Sequence, residues 1–322
     1  MTTAKALRDR VFAADEAVKL TICCIAFTHE AFIAQCLTGF LDQRCDFRVE
    51  IVIYDDASTD RTAAIIADHA ARHPTIFRTI LMPDNQYSKG VNPYFAHVFP
   101  AARGEHIAIC DGDDFWADPD KLARQVAVLD AEPETVMTFG PVRGIDESGA
   151  DLAYSGGIRH DVTAQGLRAG PAINTLTTCF RNIYRDKPVS LFVRTSTIGD
   201  LLVWAMLGYH GHARYLPDLL PANYRLRAAG LISMQGRERQ IMMTVTARLH
   251  IAAYHAEQGD AVAHGAAMQD AVAEYNRLGA AALRYYPADA PPLGIRLTRW
   301  RKAFTRWRKG LLRPGLKGKH GR

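Results

Sequence analysis

The stretch HIAICDGDDFWADPDKL, residues 106–122, limits what this chain can become more than any other. Its apolar run at 107–110 is short enough to be a buried strand. The run ends abruptly in Asp111, Asp113 and Asp114, with Asp118 close behind. Carboxylates crowded at the end of a core strand repel one another unless a cation, or a ligand carrying one, compensates them. Hard oxygen donors suit Mg²⁺ or Mn²⁺, and one or two carboxylates plus phosphate oxygens commonly hold such an ion. Asp118-Pro119 then reads as the N-cap and first residue of a helix containing Lys121 and Leu122. The same letters also suit an acidic surface loop between a strand and a helix, because Asp-Gly is ordinary turn chemistry.

The rest of the first half repeats this strand-to-polar-loop pattern. LTICCIAF at 20–27 is a near-continuous apolar run that ends at Thr28-His29-Glu30, where Thr28 is placed to cap a helix. Phe32, Ile33, Cys36, Leu37, Phe40 and Leu41 then recur at helical spacing. VEIVIY at 49–54 runs into DDASTD at 55–60, and Ala63, Ile65, Ile66 and Ala70 mark a second helix. A strand at 77–82, a polar loop at 83–90 and a short helix at 93–102 lead to the central strand. Such alternation predicts an α/β fold with a mostly parallel central sheet and helices on both faces. Its strand-end loops converge on one edge, where open sheets bind ligands.

Regularity decays after a helix at 119–131 and a strand at 135–139. Residues 140–172 carry seven glycines and read as a loop-rich region. NTLTTCF at 174–180 has strand propensity, Gly199-Asp200-Leu201-Leu202 opens a helix, and a short strand is expected at 213–216. From 233 to 285 the pattern is helical, with Gly259 and Gly265 dividing it. The expected organisation is a lead-in at 1–18 and an α/β domain at 19–232, with a regular half at 19–140 and a loop-rich half at 141–232. A helical extension at 233–288 and a basic tail at 289–322 follow.

Charge is uneven. Residues 291–322 hold eleven Lys/Arg and no acid, so removing that +11 from the chain's +5 leaves −6 on residues 1–290. In the tail, Leu297, Trp300, Phe304, Trp307 and Leu311 form a stripe at helical spacing within a cationic surface. That suits an anionic membrane interface across 293–312, or docking on protein. No nucleic-acid module accompanies the charge, so no nucleic-acid partner is expected. No segment is apolar enough to span a membrane, and the first residues lack a secretory pattern. The six cysteines show no paired metal spacing and read as reduced core residues of a cytoplasmic protein.

The segments at 24–43, 50–62 and 104–126, in this order and spacing, resemble the inverting glycosyltransferases of family 2 with the GT-A fold. The nearest subgroup resembles bacterial enzymes of surface polysaccharide, O-antigen or capsule synthesis. The resemblance implies a nucleotide-sugar donor, a Mn²⁺ or Mg²⁺ cofactor and a glycan or lipid-linked glycan acceptor. It implies that Ala26, Phe27, Thr28 and Glu30 border the nucleotide. Asp56 would accept from the base, which favours UDP, with Asp55 and Asp60 shaping its loop. Asp111-Gly112-Asp113 would be the Asp-x-Asp motif, with Asp111 near ribose and metal and Asp113 the direct metal ligand, supported by Asp114. The family's base opens a helix in the acceptor half, matching Asp200; Asp186 and Asp218 are rivals. Asn174, Thr177 and Arg181 would border the donor sugar or acceptor, and Lys89 would reach phosphate.

One departure is visible. The subgroup commonly has Tyr-Arg-x-His where this chain reads Tyr224-Arg225-Leu226-Arg227. Arginine does not ligate metal but pairs well with a diphosphate. Two other readings use the same acids: a nucleotidyltransferase working with paired aspartates and a divalent ion, and a degenerate, non-catalytic nucleotide-binding partner protein. The first would carry a Gly-rich basic loop, which residues 28–32 are not. The second conflicts with an intact aspartate pair.

Overall fold

The computed structural model describes residues 4–185, 190–196, 198–227 and 236–284. The chain divides into two units, residues 1–278 and 279–322, and of the second only the end of a helix is described. In the first unit, strands β1 (Leu20–Ala26), β2 (Val49–Asp55), β3 (Phe77–Leu81) and β4 (His106–Ile109) lie parallel in the order β3-β2-β1-β4. Helices α1 (Ile33–Leu41) and α2 (Thr62–Arg72) make the first two crossovers. A π turn (Tyr94–Val98) running into the single turn α3 (Phe99–Ala101) precedes β4. The near-continuous apolar runs are explained by burial on both faces: every residue of β2 and of β4 is buried.

The chain leaves β1 on one side for β2 and β3 and returns on the other side for β4. The crevice beyond the ends of β1 and β4 is therefore the switch point where such sheets bind ligands. Beyond β4 the sheet continues through β8 (Cys179–Arg181), β5 (Thr135–Phe139) and β9 (His212–Tyr215), with β8 antiparallel to both its neighbours. Helix α4 (Lys121–Ala131) leads into β5. A second sheet joins β6 (Val142–Ile145), β7 (Asp151–Leu152) and β10 (Ala222–Arg225) in the order β10-β6-β7. The remaining helices are α5 (Ala164–Arg168), α6 (Gly199–Leu207), α7 (Arg237–Glu257) and α8 (Ala261–Arg284).

A buried carboxylate fixes the start of the sheet. Glu50, 1% exposed, accepts from Thr21 Oγ1 at 2.8 Å, Arg103 N at 2.7 Å and Arg103 Nε at 2.8 Å. This ties β1 and β2 to the turn entering β4. All six cysteines are buried and free, as their place in apolar runs predicts.

Several expectations need correction. Thr28 does not cap α1; its φ is +52° and its N–H donates to Ser58 Oγ at 2.9 Å. Asp118 does not open α4, which begins at Lys121; its carboxylate accepts from Asp120 N at 3.0 Å and Leu220 N at 2.9 Å. Residues 174–180 supply only the start of β8, because Thr175–Thr177 is a 3₁₀ turn. The glycine-rich region holds two strands and a helix, and residues 222–225, for which no element is expected, are β10. Gly259 separates α7 from α8, whereas Gly265 lies inside α8. The tail at 289–322 lies outside the described residues.

The core beside α3 is aromatic. Phe99 meets Tyr184, Tyr94 and Phe95 at centroid distances of 4.5, 5.3 and 5.5 Å and is 1% exposed. Phe99→Ala should cost about 3–5 kcal/mol, measured as a lower urea midpoint with an unchanged slope. A loss below about 1 kcal/mol would show that this cluster does not brace the fold.

Candidate active site

Three loops meet at the switch point: residues 27–30 after β1, 55–60 after β2 and 110–114 after β4. The first two interlock. Asp56 N donates to Ala26 O at 3.0 Å, His29 N to Thr62 Oγ1 at 2.8 Å and Glu30 N to Asp60 Oδ2 at 3.1 Å. Glu30 returns a bond by accepting from Arg61 N at 3.0 Å. Thr28 and Ala57 both have positive φ, +52° and +60°. For non-glycine residues that costs about 1–3 kcal/mol each, so both loops are held in shape by their surroundings.

In the third loop, Gly112 is required by space. A Cβ there would lie 2.7 Å from Ile33 Cδ1, 2.9 Å from His29 Nδ1 and 3.2 Å from Ala26 Cβ. Asp111 is pushed up to about 7, first by burial, then by the charge of Asp113, and further by Asp200; the bond that Tyr94 OH donates at 2.5 Å pulls it down. Asp114, 4% exposed, is driven well above the carboxylate range by burial and Asp113, although it accepts from Arg225 N at 2.7 Å. Arg225 also donates to Asp113 O at 2.9 Å, Asp146 O at 3.0 Å and Gln35 Oε1 at 2.9 Å, with its guanidinium 4.6 Å from the Phe32 ring. Arg227 Nη1 reaches Asp113 Oδ2 at 3.3 Å and Nη2 reaches Thr28 O at 3.3 Å.

Asp200 lies in the first turn of α6, where Leu201 N donates to its Oδ1 at 2.8 Å. A helix N-terminus by itself lowers a carboxylate's pKa. The N–H bonds do pull in that direction, but burial wins and pushes Asp200 up to about 6. Its charge adds to the upward shift of Asp111.

The remaining expected residues divide. Phe27 is 40% exposed at the crevice. Asp56 is 2% exposed and accepts from Tyr54 OH at 2.8 Å, Gln86 N at 2.7 Å and Tyr87 N at 3.0 Å. Its carboxylate holds the 86–87 turn instead of facing the crevice. Lys89 is exposed and paired with Asp84 at 3.2 Å within its own loop. Asn174 donates to Tyr154 OH at 2.8 Å. Thr177 is 1% exposed, and its hydroxyl donates to Asn174 O at 2.8 Å.

Arg181 is misplaced by its motif. It pairs with His106, at the end of β4 away from the acidic loop, and donates to Thr135 O at 3.0 Å and Glu132 O at 3.2 Å. It therefore braces the end of α4. Asp218 lies in the turn after β9, where its carbonyl accepts from Arg124 at 2.9 Å, and Asp186 lies outside the described residues.

Sequence reasoning missed three contributors. Tyr94 holds Asp111. Asn92 donates to Ser196 O at 2.9 Å and Arg194 O at 2.6 Å, so one short segment carries both the acidic loop and the approach to α6. His29 Nε2 lies 3.5 Å from Asp113 Oδ2, and burial holds the imidazole below its usual value. The signal for His29 was its position at the end of β1; Asn92 and Tyr94 had none beyond sharing a short polar-to-aromatic step.

For a divalent ion, the donor set fits in part. Asp111 and Asp113 are close enough to raise Asp111, the electrostatic condition a cation relieves. Among the described residues no three His, Cys, Asp or Glu side chains group to hold an ion alone. The set therefore fits Mg²⁺ or Mn²⁺ once a ligand contributes oxygens.

Because Asp200 is ordinarily at 3.8 and sits at about 6 here, the folded state favours its protonated form. Ionising it costs stability as pH rises from about 4 to beyond 6. Asp200→Asn should match wild type at pH 4 and exceed it by about 2–3 kcal/mol at pH 8, measured by urea unfolding. A difference independent of pH would refute the burial of this carboxylate.

The Glycosyl transferase family 2 profile matches residues 21–188. The mycobacterial protein Rv1520 of Mycobacterium tuberculosis is 34% identical, over 90% of this chain and 86% of its own. The putative glycosyltransferase EpsE of Bacillus subtilis is 30% identical, over 65% of this chain and 73% of its own. The crystal structure of S. aureus TarS (residues 1–349) in complex with UDP-GlcNAc superimposes with a TM-score of 0.53 at 18% identity. It covers 72% of this chain, which spans 66% of that one. Its likeness is one of fold, with a GT-A core followed here by the helical region α7–α8.

Proposed function

The chain belongs to glycosyl transferase family 2, and on that premise we propose that it moves a sugar, with inversion, from a UDP-sugar to a hydroxyl of a glycan or lipid-linked glycan acceptor in bacterial surface-polysaccharide synthesis. The observation that carries this reading is the acidic pair Asp111 and Asp113 at the switch point of the sheet, with a half-buried carboxylate, Asp200, whose charge raises Asp111. The acceptor oxygen attacks the anomeric carbon, its proton passes to Asp200, and the breaking glycosidic bond leaves its electron pair on the nucleoside diphosphate. A carboxylate raised to about 6 suits this work, because a base is most effective with its pKa near the working pH.

The crevice residues divide the remaining tasks. Phe27 offers an exposed ring to the base, while the Ala26–Thr28 backbone borders the nucleotide and Glu30 keeps its loop in place. Asp56 acts on the nucleotide through the 86–87 turn. Asp113 and Asp111 would hold Mn²⁺ or Mg²⁺, which supplies positive charge for the departing diphosphate. Tyr94 orients Asp111, and Asn174 with Tyr154 stands on the acceptor side. UDP is the first nucleotide to test, since TarS binds UDP-GlcNAc and the two share their core fold.

Calorimetric titration with UDP, GDP, dTDP and CDP, each with Mn²⁺ or EDTA, should show preference for UDP that requires metal and is lost in Asp113→Ala. Asp200→Asn should keep that binding and lose about 10²–10⁴-fold in kcat. Failure of all four nucleotides to bind with metal present would refute the donor reading.

Among the described residues no helix is long and apolar enough to cross a membrane. The basic stripe at 293–312 is proposed to hold the enzyme peripherally on the inner face of an anionic membrane. Removing 293–322 should leave UDP affinity intact and reduce sedimentation with phosphatidylglycerol vesicles; equal sedimentation would sink that role.

A further inference from the structure

Two arginines reach the acidic loop from the end of β10, and they are held very differently. Arg225 is 5% exposed and locked by three carbonyl oxygens, including Glu147 O at 3.3 Å, and by Gln35. Among the described residues Arg227 has only long bonds, 3.3 Å to Asp113 Oδ2 and 3.3 Å to Thr28 O, and its buried Nε has no hydrogen-bond partner there. Its guanidinium lies 5.1 Å from the Phe32 ring, a surface along which a planar cation can slide. Asp113 Oδ2, the oxygen Arg227 touches, is also approached by His29 Nε2 at 3.5 Å.

The carboxylate that should receive the divalent ion thus already carries a cation. An ion placed on that oxygen would face a guanidinium, and the two can share the site only with an anion between them. A diphosphate provides such an anion, with oxygens for the metal and a fork-shaped match for arginine. We propose that Arg227 is the resident counter-ion of Asp113 in the donor-free protein, exchanged for the divalent ion when the donor's diphosphate draws the guanidinium away. This rests on the nucleotide-sugar reading above and deepens it. Metal and donor then load together, because each removes the obstacle to the other, and their coupling is reciprocal.

The test follows free Mn²⁺ by electron paramagnetic resonance during titration of the full-length protein, with and without UDP. Wild type should bind Mn²⁺ at least about 10-fold more tightly with UDP present. Arg227→Gln should bind Mn²⁺ without UDP about 10-fold more tightly than wild type and bind UDP more weakly in EDTA. Arg227→Lys keeps the charge and loses the fork, so it should exclude Mn²⁺ as wild type does yet bind UDP less well. Equal Mn²⁺ affinity of free wild type and Arg227→Gln overturns the exchange. UDP binding by wild type that is equally tight in EDTA also overturns it, with arginine replacing the ion outright and the donor reading intact. No UDP binding under either condition overturns both readings.

Discussion

The structure depends on crowding three carboxylates into four residues at the end of β4, Asp114 buried and Asp111 and Asp113 half-buried. Isolated ionised groups in such a place are strongly unfavourable, and the effect is visible in Asp111 at about 7 and in Asp114 well above the usual range. What makes the arrangement tolerable arrives from a distant part of the chain. Arg225 enters on β10, whose parallel pairing with β6 and bridge from Asn223 to Phe115 fix its approach. The second sheet is thus more than a covering layer. It delivers the guanidinium that ties the acidic loop down through Asp113 O, and removing that group would leave Asp114 beside like charges with the Arg225 backbone N–H as its support.

The same economy of support links chemistry to fold on the other side of the crevice. Tyr94 bonds Asp111 through its hydroxyl and stacks on Phe99 through its ring, while Asn92 holds the segment leading to Asp200. One short stretch therefore sets the distance between the carboxylates that handle the donor and the one that receives the proton. The positive φ values of Thr28 and Ala57 sit in the loops directly opposite. Strain of this kind persists only when the surroundings over-determine it, which describes a site organised before its ligand arrives.

Legibility in the sequence followed burial. Strands β1, β2 and β4 are covered on both faces, so their letters are nearly all apolar and their acidic ends stand out. The short strands β6 and β7 sit among glycines, and β10 is only four residues long and follows a proline-rich turn, so periodicity could not find them. Asp111, Asp113 and Asp200 were readable as chemistry because acids at strand and helix ends are conspicuous. Arg181 misled because an Arg-Asn pair at a strand end says nothing about which end of a neighbouring strand it meets; antiparallel β8 put it at the wrong one. Asp200 shows a further limit: a helix start by itself lowers a carboxylate's pKa, and only packing reveals that burial outweighs the local N–H bonds.

Arg225 and Arg227 are two residues apart, and in extended chain such residues share a face. Both accordingly lie over Phe32. Equivalent placement with unequal anchoring divides the neutralisation of the loop into a permanent part and an exchangeable part. If both were locked, Asp113 would have no reason to attract another cation. If neither were present, the donor-free site would hold three crowded acids against their mutual repulsion. A site that must be stable when empty and avid when its anionic ligand arrives needs one cation of each kind, and Arg227, whose Nε finds no partner among the described residues, is the one that has somewhere better to go.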